Sequence, residues 1–204
     1  MRNTGKVNPW TLKLSTVQIV LIPVAIGINY VGKIFAAMLK LPLWLDCIGS
    51  CMAACLGGPI VGALSGIINN VLYGVTVDPI ATVYALTQAG IGATVGYLAY
   101  KGKMEHIMGA IMTGIIAGAV AVLISTPLNI YFWGGQTGNI WGDAAFASLL
   151  AGGAPVWIAS LVDEALVDIP DKILVLVITF LLLKSLPKRL HAIFNSQNEE
   201  LETL

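Results

Sequence analysis

Long apolar runs alternate with short polar breaks along this chain, at the spacing of membrane helices. A spanning helix needs about 20 mostly apolar residues. Six segments meet or approach that length: residues 14–39, 45–56, 60–74, 81–100, 107–130 and 156–186. The second and third fall short. Gly57-Gly58-Pro59 separates them. Proline is tolerated in the first turn of a helix, so the triplet reads as a stop followed by a start. The two pieces form either a pair meeting near one membrane face or a single broken helix. The first apolar run continues through Asn29 and Lys33 with no small-residue cleavage pattern. It reads as a first membrane helix and not as a signal peptide.

Composition agrees with that pattern. The chain has 204 residues, 57% hydrophobic and 11% charged, whereas a soluble domain carries about 25% charged residues. The expected fold is an all-α membrane protein, a six-transmembrane-helix bundle, with residues 1–204 forming one integral membrane domain. The formal net charge is zero, so there is no basic footprint for nucleic acid.

Basic residues in short loops set topology. Arg2, Lys6 and Lys13 precede the first segment, Lys101 and Lys103 follow the fourth, and Lys184, Lys188 and Arg189 follow the sixth. Six crossings put all three groups on one side, so both termini are expected in the cytoplasm. Lys33 and Lys40 dissent: they are either functional or snorkel to the interface. Cys47, Cys51 and Cys55 fall at helical spacing in an apolar run, and both histidines (His106 and His191) lie elsewhere. These cysteines read as small packing residues, with no disulfide framework and no metal site.

The outer loops are then LKLPLW, YGVTVDPIAT and a long one rich in Gly, Trp, Asn and Gln. Loops of that length are usually functional or disordered, and tryptophans argue against disorder. A short interfacial helix is expected around residues 142–150. Polar and aromatic groups gather at the same end of the segments: Asn69, Asn70 and Tyr73, then Tyr84 and Gln88, then Asn129, Tyr131 and Trp133. With Trp44, Gln136 and Trp141 from the loops, they suit a ligand pocket with aromatic walls and a few placed hydrogen-bonding groups. An aromatic belt with helix caps is the alternative. Asn69, Gln88 and Asn129 fit the belt least, because amides in an apolar helix need partners.

Four carboxylates interrupt the last segment, at LVDEALVDIPDK, residues 161–172. Ionisable groups in a bilayer are costly and face a cavity or a partner. Glu164, Asp168 and Asp171 or Lys172 share one helix face, with Asp163 about 100° round from Glu164. Asp168 and Lys172 are spaced to pair, and Pro170 removes a backbone donor beside them. Glu164 has no basic neighbour on its face, so Glu164, helped by Asp163, is the better ligand contact. Asp46, near the start of the second segment, is either an N-cap or a lone functional acid, and capping is the expected role. Enzyme chemistry has no motif here: there is no HExxH, GxSxG, Walker loop or dinucleotide fingerprint. Three glycine stripes (Gly58-Gly62-Gly66, Gly92-Gly96 and Gly114-Gly118) let helix backbones approach closely, within the chain or against a partner.

LPLWLDCIGSCMAACLGGPIVGALSGIINNVLYG combines a helix of small residues, a Gly-Pro step and GxxxGxxxN. With the six-segment layout and the late VDIPDKILVLVITFLLLKSLPKRL, it resembles the S components of energy-coupling factor (ECF) transporters, over nearly the whole chain. The resemblance implies a bacterial plasma-membrane subunit that binds a vitamin or similar micronutrient at its outer face. It implies partners: a transmembrane coupling subunit and two cytoplasmic ATPases, whose ATP hydrolysis topples the subunit to release its ligand inside. No nucleotide site and no cofactor are expected in the chain itself. In that family the loops after the first, third and fifth helices line the pocket; here they carry Trp44, the Asp78 region and Trp133 to Trp141. The family's first helix often carries AxxxA for docking. This chain has Pro23-xxx-Gly27 and Gly32-xxx-Ala36 instead.

The pocket candidates point to a neutral or cationic ring compound: a pyrimidine or pyridine vitamin, a nucleoside or a deazapurine. Aromatics stack on rings, and amides and carboxylates accept from ring edges, amines or diols. Pantothenate fits less well, since only Lys33, Lys40 and Lys172 are at hand for an anion. A stand-alone proton-coupled carrier or channel, with the carboxylate stripe as relay, is the rival reading.

Overall fold

Ser15 starts the first helix. Its Oγ accepts from the Gln18 backbone N–H at 3.3 Å, and Gln18 Oε1 accepts from the Ser15 N–H at 2.9 Å. This reciprocal pair is a capping box. In the computed structural model, which describes Trp10, residues 12–187 and Phe194, seven α-helices follow in order. They are α1 (Thr16–Met38), α2 (Ile48–Gly57), α3 (Pro59–Thr76), α4 (Ala85–Tyr100), α5 (Ile107–Trp133), α6 (Ile140–Ala151) and α7 (Val156–Ser185). Short 3-10 turns at Pro79–Thr82 and Lys103–Glu105 precede α4 and α5. The described residues contain no strand. Arg2, Lys6, Lys188, Arg189 and His191 lie outside the described residues.

The protein is all-helical, and α1, α3 and α5 are long and apolar enough to cross a membrane. That makes it a membrane protein by the length and composition of its helices. The α7 helix is longer still, at 30 residues, but Asp163, Glu164, Asp168, Asp171 and Lys172 along it are buried in the bundle. The short helix expected around residues 142–150 is α6. The fourth segment divides, because Pro79 and the Asp78 side chain, accepting from the Ile80 N–H at 3.1 Å, set a separate turn before α4.

Glycine decides how closely these helices meet. Gly62 on α3 faces Gly92 on α4, Gly66 faces Gln88, and Gly96 lies against Pro59. On α5, Gly114 lies against the backbone of Lys172 and Ile173, and Gly118 against Ile169. A Cβ on Gly114 would stand 2.6 Å from the Ile173 Cα. The glycine stripes therefore pack the chain against itself.

The α2 helix begins part-way along α1 instead of at its end. The two run antiparallel: Gly32 lies against Leu45, Gly49 against Ala25, and Gln18 Nε2 donates to the Gly57 carbonyl at 3.1 Å. Residues 41–47 are irregular backbone beside a membrane helix. Such backbone is tolerated in a bilayer only where it is buried in protein or lines a cavity. Its amides find buried acceptors. Asn29 Oδ1 on α1 accepts from the Gly49 and Ser50 N–H groups at 2.7 and 3.3 Å, doing for α2 what its own Cys47 N-cap does not. Asp171 Oδ1 on α7 accepts from the Trp44 and Leu45 N–H groups at 3.0 and 2.9 Å. Leu45 sits at φ 51°, a left-handed conformation that is costly for a leucine. The cap position belongs to Cys47, so Asp46 is free for another role, against the sequence expectation.

Candidate functional site

Three connections converge at one end of the bundle: residues 39–47, 77–84 and 134–139. They close over a cavity of about 100 Å³ whose walls come from α1, α3, α4, α5 and α7 as well. Roughly 10–15 Å³ holds one water, so this space takes several waters or a small polar molecule. From the connections come Trp44, Asp46, Asp78, Ile80, Tyr84 and Thr137. From the helices come Lys33, Asn70, Thr87, Gln88, Ser125, Glu164, Asp168 and Lys172. Exposure runs from Ile80 at 41% to Lys172 at 2%, so the cavity leads from the surface into the core.

Lys172 is the deepest charge. It lies about 24 Å along α7 from Val156 at 1.5 Å per residue, near the middle of that helix. Its Nζ donates to Asp171 Oδ2 at 2.6 Å and Asp168 Oδ1 at 2.8 Å, and stands 3.9 Å from Asp46 Oδ1. The expected pairing of Asp168 with Lys172 is present and is part of a larger cluster. The ligand atoms of Asp46, Cys47 and Asp171 lie within 4.8 Å of one another, a spacing that suits a metal ion. Lys172, bridged to both aspartates, supplies the positive charge there instead.

Glu164 and Asn129 form a second network. Tyr84 Oη donates to Asn129 Oδ1 at 2.5 Å, and Asn129 Nδ2 donates to Glu164 Oε2 at 2.8 Å. Asp168 and Ser125 are the other polar neighbours of Glu164. Thr87 and Ser125 share a hydrogen bond at 2.9 Å on the same wall. Trp133 stands beside the Tyr84 hydroxyl. Among the described residues, the buried oxygens Gln88 Oε1 and Asp46 Oδ1 have no hydrogen-bond partner, and both side chains line the cavity.

Of the substrate-binding candidates, Trp44, Asn70, Tyr84, Gln88 and Glu164 line the cavity. Asn129 stands behind Tyr84 and Glu164. Asn69 donates to Asn70 Oδ1 at 3.1 Å, from behind that wall. Tyr73 packs edge-on against Tyr30 and carries Lys33 Nζ 4.2 Å above its ring, so it positions a lining residue. Asp163 does not line the cavity. It accepts from Thr137 Oγ1 at 2.9 Å and so pins the loop. Gln136 is exposed and Trp141 is 53% exposed, its Nε1 donating to the Lys40 carbonyl at 3.0 Å. Neither lines the cavity. Asp78 lines it from a loop that the resemblance put at the pocket, while Lys33, Asp46, Thr87, Ser125, Thr137, Asp168 and Lys172 are lining residues outside the expected binding set.

The four docking candidates on α1 divide between two faces. Pro23 and Gly27 are exposed, while Ala36 is buried and Gly32 is packed on Leu45. They do not form one surface. No family model, curated protein or solved structure matches this chain.

Proposed function

We propose that this chain is the substrate-binding subunit of an ECF-type importer. It captures a small water-soluble ring compound, a vitamin or nucleoside-like micronutrient, at the outer face of a bacterial plasma membrane. The observation that carries the reading is the cavity: a polar, surface-connected chamber in an apolar bundle, walled by three connections. Those connections are the ones the family resemblance implies. Six crossings follow if residues 41–47 are taken with α2 as one broken span, beside α1, α3, α4, α5 and α7. An even number of crossings returns both termini to one side, the cytoplasm by the placement of basic residues. A transmembrane coupling subunit and two ATPases are the partners in this reading, and hydrolysis is theirs.

The first test is mass spectrometry of small molecules released from the protein after mild detergent purification. One co-purified ring compound is the expected result. Folded protein that releases nothing and binds no vitamin or nucleoside would defeat the reading. A proton-coupled carrier is the second reading, favoured by Glu164 and Asp168 lying side by side in one chamber. Uptake in cells separates the two. The importer requires a co-expressed ATPase module, and the carrier runs without it.

A further inference from the structure

We infer that the ligand of this cavity is a cation with several N–H donors, held against Glu164 and Asp46. The inference rests on the small-molecule-binding part of the proposed function and narrows its ligand class. Its ground is the balance of charge and hydrogen-bonding capacity on the cavity wall. Four carboxylates (Asp46, Asp78, Glu164 and Asp168) face two lysines. The lysines are outnumbered, and the deeper one is not free for an anion. Lys172 is bound to Asp168 and Asp171, and Lys33 lies over the Tyr73 ring.

On the cavity wall, the buried polar atoms without a hydrogen-bond partner are both acceptors. Gln88 is 3% exposed and Asp46 8% exposed, and in each a buried acceptor oxygen has no hydrogen bond among the described residues. A buried acceptor without a donor is costly, and a ligand bringing N–H groups removes that cost. Ligand hydroxyls meet the same need without relieving the surplus negative charge. A carboxylate or phosphate ligand would add acceptors to a wall that already has too many. Trp44 and Tyr84 add aromatic rings to the same wall, and aromatic rings attract a flat cation.

Three probes of one shape test this: benzamidinium, benzamide and benzoate, a cation, a neutral amide and an anion on the same ring. Binding to the detergent-purified full chain is read by calorimetry and by the shift in melting temperature. Benzamidinium is expected to bind about tenfold or more tightly than benzoate, the scale of one charge-assisted hydrogen bond. Glu164→Gln keeps an oxygen that can accept from Asn129 but removes the charge. It is expected to lose most of that preference while binding benzamide as before. The wild-type series stands alone if the variant fails to fold. Equal affinities, a preference for benzoate, or no binding by any probe would overturn the inference. A preference for benzoate would leave the importer reading standing. Absence of any binding, with no co-purified compound, would remove both.

Discussion

Asn129 joins a phenol to a carboxylate inside an apolar helix, and each of its neighbours depends on it. Asn129→Leu leaves the Tyr84 hydroxyl and the Glu164 carboxyl without that partner. A buried polar group stripped of its partner costs about 1–3 kcal/mol. Tyr84→Phe removes the donor alone and keeps the contact of Asn129 with Glu164, for about 0.5–1.5 kcal/mol. Melting of the two variants in detergent should rank Asn129→Leu well below Tyr84→Phe. A reversed order would mean that Asn129 is not the hub of the network. Lys172 is a harsher case. Removing Asp171 would strip the lysine of a counter-charge and two backbone amides of their acceptor. Breaking a buried ion pair costs about 3–5 kcal/mol. These side chains were visible in the sequence as polar residues out of place in apolar runs. Apart from the Asp168–Lys172 pair, their partners were not, because Asn29, Asp171 and Asn129 reach across 20 to 127 positions of chain.

At the scale of the helix, contact is set by what is missing. Gly92 meets the backbone of Gly62, so a branched side chain there must push α3 and α4 apart. Gly92→Val is expected to cost about 1–3 kcal/mol, as overpacking does, and melting checks it. Gly27→Val has nothing within 4 Å to displace and should leave the melting temperature nearly unchanged. A loss at Gly27 equal to that at Gly92 would sink this account. Most helix bounds were legible from hydrophobic runs, since a membrane helix announces itself by length and apolarity. The exceptions share a cause. Residues 41–47 and 77–84 leave α-helical geometry because distant side chains satisfy them or a proline redirects them. Periodicity carries no sign of either. The docking candidates on α1 failed to make one surface for a related reason: small residues mark close approach without telling which neighbour approaches.

For the whole molecule, irregular segments and charges meet at one place. The three connections, the cluster around Lys172 and the unpartnered oxygens of Gln88 and Asp46 all border the same chamber. Irregular backbone there relies on the protein for its hydrogen bonds, and the protein supplies them from helices far apart in sequence. The start of α2 shows what this implies for the order in which the chain is made. Asn29 leaves the ribosome before α2, so part of that helix start is capped as soon as it forms. Trp44 and Leu45 have no such early acceptor.

 Trp44 and Leu45 wait for Asp171, which is synthesised more than a hundred residues later. Until α7 inserts, the nascent protein holds an unfinished span, and its maturation is a late, post-insertion step. Cys47 reports on that step, because it is fully buried in the finished fold. In chains stopped before residue 156 it should react with a water-soluble maleimide, and in full-length chains it should not. Equal protection in both would mean that the span closes without its last helix.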